Sequence, residues 1–343
     1  MYSLNFVKKK IVIFSGGRSD FGLLKNIILK FQKSKKFTTS LVVGPSHFSK
    51  KFGFTYREIK DSRIRNIYKI NIKNINTSNK DISNLISIII KKIGSIFEKQ
   101  KFDLAIVLGD RYEVLAFSFI CVLFKIKIAH IHGGEVTLGS YDNQFRNAIS
   151  KMSTLHLTSS KKHQINLEKM GVNKNSIKNV GAPSIENIKL IKFKNKYKIF
   201  KKYGIPLNKD IGLVTMHPET MSNKSIKNQI NGLIRAISSK DIYFIITSSN
   251  MDTGGAQMVK LIKKAIKKFT NIQLIESLGQ NDYFNILKFC KFVCGNSSSG
   301  IIEAPSLGIM TLNIGNRQKG RQSSNQTINV RNEYKEISKA IDR

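Results

Sequence analysis

The chain has 343 residues, 41% of them hydrophobic, with three cysteines and a formal net charge of +36. That length and apolar content suit two cores better than one, and the cysteine spacing fits no disulfide framework, zinc site or redox pair, which points to a reducing cytoplasm. The lysines are spread along the whole sequence and are not gathered with aromatics into a patch, so the charge reads as a solvated surface that attracts anions, with no dedicated nucleic-acid arm.

In chain order, Lys10–Ser15 reads as a first strand running directly into a glycine loop, and its apolar run is too short for a signal peptide. Further strands are expected at Ser40–Gly44, Asp103–Gly109, Ile126–His132, Leu155–Ser159 and Lys178–Gly181. A second series follows at Ile211–Met216, Tyr243–Ser248, Ile272–Glu276, Phe292–Gly295 and Met310–Ile314. Helical spacing fills gaps between them at Asp81–Glu98, Val114–Phe124, Ser160–Met170, Ser222–Ser238 and Ala256–Phe269. This alternation predicts an α/β fold with parallel sheets covered on both faces. The basic segment Ile188–Tyr203 either marks the crossing between two domains, 1–187 and 188–343, or is one more surface helix. The longest uncharged apolar segment, Val114–Phe124, is well short of the ~20 residues of a membrane-spanning helix, so no membrane passage is expected.

In such sheets ligands bind outside the carboxyl ends of the strands, and four polar clusters fall there. SGGRSDFG follows the first strand; its paired glycines would let a ligand approach, and Arg18 offers a fork suited to phosphate, although a tight turn explains the glycines equally well. GDRYE puts Asp110 at a strand end, where it is either functional or an N-cap. HIHGGEVTLGSYD brings His130 and His132 to one strand face, then Glu135 and Asp142, the latter again a possible cap. Histidines satisfied by hydrogen bonds fit this stretch better than a metal site, and Asp110, Glu135 and Asp142 at one sheet edge suit proton transfer, because grouped acids can be driven to different pKa values.

The second half supplies His217 in MHPET, Asn250 and Asp252 in SSNMDTGG, and the stretch GNSSSGIIEAP. There Ser297, Ser298 and Ser299 open a helix whose free N–H groups favour an anion. Glu303, one turn in, could accept from a ribose diol. A single cap does not need three serines, so a diphosphate seat is the better reading.

GDRYE, HIHGGEVTLGSYD, RNAISK, NVGAPSIENI, MHPET, GNSSSGIIEAP and NIGNRQKGR, in that order, resemble the hydrolysing UDP-N-acetylglucosamine 2-epimerases of the sialic and legionaminic acid pathways, over essentially the whole chain. The resemblance implies a glycosyltransferase B-type fold of two Rossmann-like domains, the second carrying most of the nucleotide. It also implies a UDP-sugar as partner, no cofactor and no metal, and a homo-oligomer, dimer or tetramer. The implied reaction eliminates UDP to a 2-acetamidoglucal, then adds water with inversion at C2. By the same resemblance Asp110, Glu135 and Asp142 are catalytic. Arg18, Arg111, His217 and Arg317 match phosphate- or uridine-side contacts, Asn250, Ser297, Ser298 and Glu303 match nucleotide contacts, and His47 matches a sugar-side histidine.

Two features depart from the family pattern. Asn143, Gln144 and the pair Arg146–Asn147 stand where another acid and an arginine–histidine pair are usual, which opens the choice between UDP-N-acetylglucosamine and a UDP-2,4-diacetamido-2,4,6-trideoxyglucose. The final helix, which commonly crosses back to the first domain, is expected to be short, with Arg343 as the last residue. A glycosyltransferase of the same fold would have no use for three clustered carboxylates. A non-catalytic binding protein would leave Glu135 and Asp142 without purpose.

Overall fold

The computed structural model describes residues 7–50, 53–72, 75–249 and 252–343. Within them, β1 (Lys9–Ser15), β2 (Phe37–Val43), β3 (Ile67–Lys69), β4 (Leu104–Leu108), β5 (Lys127–Ile131), β6 (Leu155–Thr158) and β7 (Ile177–Asn179) form one sheet in the order β3-β2-β1-β4-β5-β6-β7. The second sheet comprises β8 (Ile211–Thr215), β9 (Tyr243–Thr247), β10 (Ile272–Ile275), β11 (Phe292–Gly295), β12 (Met310–Ile314) and β13 (Thr327–Val330), in the order β10-β9-β8-β11-β12-β13. All pairings are parallel; Lys9 faces Phe37 and Ser15 faces Val43 in the β1–β2 ladder. Each order reverses beside its first strand, at β1/β4 and β8/β11, and such a reversal opens a crevice at the carboxyl edge.

Helices cover both faces. With the first sheet come α1 (Arg18–Lys33), α2 (Tyr56–Asp61), α3 (Asn79–Lys99), α4 (Tyr112–Leu123), α5 (Asp142–Met152) and α6 (Lys161–Lys169). After α7 (Pro183–Lys189), the second carries α8 (Lys196–Tyr203), α9 (Ile226–Ser238), α10 (Gly255–Ile266), α11 (Gly279–Leu287), α12 (Ser298–Ser306) and α13 (Tyr334–Ile341). α3 shows why the sequence folds this way: Ile82, Leu85, Ile89, Ile93 and Phe97 recur at three- and four-residue intervals and are all buried, while Ser78 and Asp81 cap its start reciprocally. Phe14 of β1 stacks on Phe117 of α4 with ring centroids 4.8 Å apart, joining that helix face to the sheet.

Two strands escape the sequence pattern. β3 and β13 are edge strands of three and four residues without a continuous apolar run. The expected boundary at residue 187 falls inside α7, and Asn187 there donates to the carbonyl of Gly22 on α1 at 3.0 Å. Ile199 and Phe200 of α8 are buried in a core of the second sheet, so the basic stretch around them is one face of a packed helix. Among the described residues no helix is long and apolar enough to cross a membrane.

The carboxyl edges of the two sheets face each other. The chain after β5 touches the loop after β12, where the Leu138 N–H donates to the Lys319 carbonyl at 2.9 Å. Gly139 is required at that contact, because a Cβ there would lie 2.3 Å from the Asn316 carbonyl oxygen. Tyr141 continues the contact, its N–H donating to Thr220 Oγ1 at 3.2 Å and its hydroxyl lying 2.7 Å from Thr253 Oγ1.

Candidate active site

A cleft of about 250 Å³ lies between the two carboxyl edges, lined from both sheets. Of the residues singled out from sequence, it brings together Arg18, Asp110, Arg111, Glu135, Asp142, His217, Ser297, Ser298, Glu303 and Arg317. Asn250 lies outside the described residues.

On the first-sheet side the carboxylates are held by arginines. Asp110 accepts from Arg146, whose side chain is 1% exposed and whose other Nη donates to the Glu135 carbonyl at 2.8 Å and to Thr137 Oγ1 at 3.0 Å. Neither Asp110 nor Asp142 is a helix cap: Arg111 and Tyr141 occupy the cap positions of α4 and α5. Arg111 is forked onto Glu113, at 3.1 and 3.2 Å, and reaches across the cleft to Asp252 Oδ1 at 2.8 Å. Burial opposes the charge of Arg111, but Glu113 and Asp252 outweigh it and raise its pKa further.

Asp142 lies 3.7 Å from Arg317 and accepts from the Ser140 hydroxyl at 2.8 Å. Burial, followed by the nearby charge of Asp252, pushes its carboxyl up to about 6. Glu135 shows the reverse: burial disfavours its charge, yet Arg321 at 2.7 Å and then His132 hold its pKa well below the ordinary carboxylate range. Two carboxyl groups in one cleft are thus driven apart, the pattern that separates proton-transfer roles.

On the second-sheet side the chain leaves β11 through Gly295, at φ +132°, where a Cβ would lie 2.1 Å from the Thr215 carbonyl oxygen. Asn296, fully buried, then ties β11 to β8, accepting from the His217 N–H at 2.7 Å and donating to its carbonyl at 2.9 Å. The three serines divide their tasks. Ser297 caps α12 by accepting from the Ser299 N–H, Ser299 pairs with the Tyr283 hydroxyl at 2.6 Å, and the Ser298 hydroxyl has no partner among the described residues. The Glu303 carboxylate, also on the cleft wall, receives no hydrogen bond from the described residues; the Ser306 hydroxyl donates only to its backbone carbonyl. His217 has its pKa pushed down to about 3, first by burial and then by Arg317, so it is a neutral ring.

Three expectations are corrected. His47 does not line the cleft: it is fully buried behind β1, within 3.0 Å of Ser15 Oγ and 2.8 Å of Thr55 Oγ1. The glycine loop offers no free amides to a ligand, because Asp20 accepts from Gly16 N–H at 2.9 Å and Gly17 N–H at 3.1 Å. His130 and His132 part company, His130 donating from Nε2 to the Gly109 carbonyl at 2.8 Å while only His132 reaches the cleft. Arg18 does reach the cleft, but its guanidinium spans it and donates to the carbonyls of Glu276 and, at 3.2 Å, Ser248.

Arg321 was not singled out from the sequence, and Arg146 and Asp252 were named there without a part as buried partners in the site. All three sat inside quoted motifs, yet nothing in their spacing says that they are buried partners of the acids. Among the described residues no group of histidine, cysteine and carboxylate side chains is arranged to hold a metal ion. All three cysteines are free and buried.

Two facing parallel sheets with a polar cleft between their carboxyl edges make this a glycosyltransferase B-type protein. The solved structure of UDP-GlcNAc 2-epimerase from Neisseria meningitidis bound to UDP-GlcNAc has the same fold, with a TM-score of 0.78 and 20% identity over 97% of this chain and 90% of that one. A family model described as UDP-N-acetylglucosamine 2-epimerase matches residues 29–343, and the chain belongs to that family of enzymes. The polysialic acid biosynthesis protein P7 of Escherichia coli is 36% identical over 97% of this chain and 85% of its own length. The hydrolysing GDP/UDP-N,N'-diacetylbacillosamine 2-epimerase of Campylobacter jejuni is 32% identical over 98% of this chain and 87% of its own.

Proposed function

We propose that the protein is a hydrolysing 2-epimerase that converts UDP-N-acetylglucosamine and water into N-acetylmannosamine and UDP. The observation that carries this reading is the juxtaposition, across one cleft, of Asp110, Glu135 and Asp142 with the N-terminus of α12. An anion suits that helix end, where the backbone N–H groups and the free Ser298 hydroxyl converge. Glu303 one turn on suits a ribose diol, and Arg317 suits the charge that grows on the departing diphosphate.

The C2 hydrogen of the sugar is not flanked by a carbonyl, so its removal must accompany loss of UDP. A base takes the proton, the C–H electron pair becomes the C1=C2 bond, and the C1–O pair leaves with UDP. Inversion then requires a proton delivered to C2 from the opposite face, while water adds at C1. Two proton-transfer groups are therefore needed, one on each face. Asp142, its carboxyl raised towards neutrality, suits the donor. Asp110 and Glu135, paired with arginines, suit the stabilisation of positive charge at C1.

A second reading, the same chemistry on a UDP-2,4-diacetamido-2,4,6-trideoxyglucose, draws support from the diacetylbacillosamine epimerases of C. jejuni and, at 30% identity, Legionella pneumophila. Asn143, Gln144 and Asn147, which depart from the acid and histidine expected there, also favour a different sugar. Proton NMR in deuterated water with each UDP-sugar tests both readings. Release of UDP with a C2-inverted product carrying deuterium at C2 supports elimination and hydration, and the sugar that turns over decides between them. UDP release with C2 unchanged would sink the epimerase reading.

A further inference from the structure

Both carboxylate oxygens of Glu135 are engaged by internal partners. Oε1 accepts from His132 Nδ1 and, at 2.8 Å, from the Ser159 hydroxyl, while Oε2 lies 2.7 Å from Arg321 Nη2. The partners that hold it charged also make it a poor proton acceptor. His132 is placed the other way round. Its ring is buried on the cleft wall, and its Nε2 has no hydrogen-bond partner among the described residues.

The backbone explains how the ring gets there. His132 has φ +67°, in the left-handed region that only a few per cent of non-glycine residues enter, histidine more often than most. Such strain persists where the surroundings enforce it, and it gathers at functional sites. The twist sends His132 away from the path of His130 and into the cleft. A charged Glu135 can only accept from a protonated Nδ1, so in its neutral form the ring carries its lone pair on Nε2, the nitrogen that the described residues leave without a partner.

From this geometry we infer that His132 is the base that takes the C2 proton, with Glu135 as the carboxylate that positions it. The proton passes to Nε2, the C–H electron pair forms the C1=C2 bond, and the C1–O pair departs with UDP. The imidazolium so formed faces Glu135, which stabilises it without itself being protonated, as a carboxylate does behind a catalytic imidazole. Arg146 secures the arrangement by holding the Glu135 carbonyl. The inference rests on the elimination proposed above, and it gives Glu135 a positioning part behind His132 in place of the proton transfer expected from sequence.

The test compares His132→Asn, His132→Gly and Glu135→Gln with the wild-type protein, following UDP release from the UDP-sugars and UDP affinity by calorimetry. Asparagine and glycine both accept a positive φ, so the turn survives. His132→Asn should lose ~100-fold or more in UDP release, in keeping with removal of a general base, with UDP affinity within about threefold of wild type. Imidazole added to His132→Gly should restore UDP release in proportion to its concentration. Glu135→Gln should slow the wild-type background but add little to His132→Gly, because it acts through the missing ring.

A rate for His132→Asn within about threefold of wild type would overturn the inference. So would a His132→Gly rate unmoved by imidazole, or an equal Glu135→Gln loss in both backgrounds. Absence of UDP release from wild-type protein would instead sink the reaction assigned above and the inference with it.

Discussion

The two walls of the cleft treat polar groups in opposite ways. On the first-sheet wall Asp110, Glu135 and Asp142 each lie against a buried or nearly buried arginine, and Arg111 is saturated by Glu113 and Asp252. On the second-sheet wall the Ser298 hydroxyl and the Glu303 carboxylate take no hydrogen bond from the described residues. Groups that must move protons or stabilise charge need fixed positions and tuned pKa values, which internal partners supply. Groups that hold a nucleotide keep their hydrogen-bonding capacity for it, because every internal partner would have to be displaced on binding.

Acid is the strongest way to break the comparison. His47, His130 and His163 on the first-sheet side have their pKa values pushed down to about 3, about 4 and about 4, chiefly by burial, against only His217 on the other side. Since the folded-state values are lowered, the unfolded chain binds protons first. The stability they contribute is complete above the unfolded value near 6.5 and is lost as pH falls from there towards about 4. At roughly 1.4 kcal/mol per pH unit per histidine, acidification from pH 7 to 5 should remove several kcal/mol, partly offset by the raised carboxyl of Asp142, which titrates in the opposite sense. Urea midpoints measured along this range test it; an unchanged midpoint would mean that the rings reach water.

Arg111→Met comes next. It leaves Glu113 and Asp252 buried without their shared cation, which in such pairs costs about 3–5 kcal/mol, so the urea midpoint should fall steeply at pH 7. A loss under about 1 kcal/mol would place this pair in the class of solvated surface bridges. Asp142→Asn should instead spare stability and lower turnover by about 100-fold or more, with UDP affinity nearly unchanged. As a donor, Asp142 must be protonated, so kcat/KM should fall as pH rises through about 6, and this limb should vanish in the variant. A basic limb that persists in Asp142→Asn would assign the proton to another group.

The sequence was most informative where physics is local. Runs such as IVIFS and AIVL are buried on both faces and announce central parallel strands, and the serines before α12 announce a helix end. β3 and β13, at the edges, lack that signal. The acids were visible as residues at strand ends, yet their partners were not, because Arg321 meets Glu135 across 186 residues of chain. His47 misled for the same reason: burial behind β1 depends on packing that its neighbours in sequence do not encode. Gly16 and Gly17 looked open to a ligand, and only the fold shows Asp20 already occupying their amides.

The smallest effects belong to the second-sheet wall and sharpen the contrast. Glu303→Ala removes a charged acceptor, and hydrogen bonds to charged groups contribute about 1.5–3 kcal/mol, so KM for the UDP-sugar should rise roughly 10-fold or more. Ser298→Ala removes a neutral hydroxyl, for which ~0.5–1.5 kcal/mol corresponds to a few-fold rise. Neither group has an internal partner among the described residues, so neither substitution strands a buried charge, and urea midpoints should hold. Both should leave kcat within a few-fold, because a nucleotide contact made equally in the ground and transition states affects binding alone. A turnover defect in Ser298→Ala with KM unchanged would break this division, because it would mean that the α12 terminus acts on the departing phosphate only once the C1–O bond is breaking.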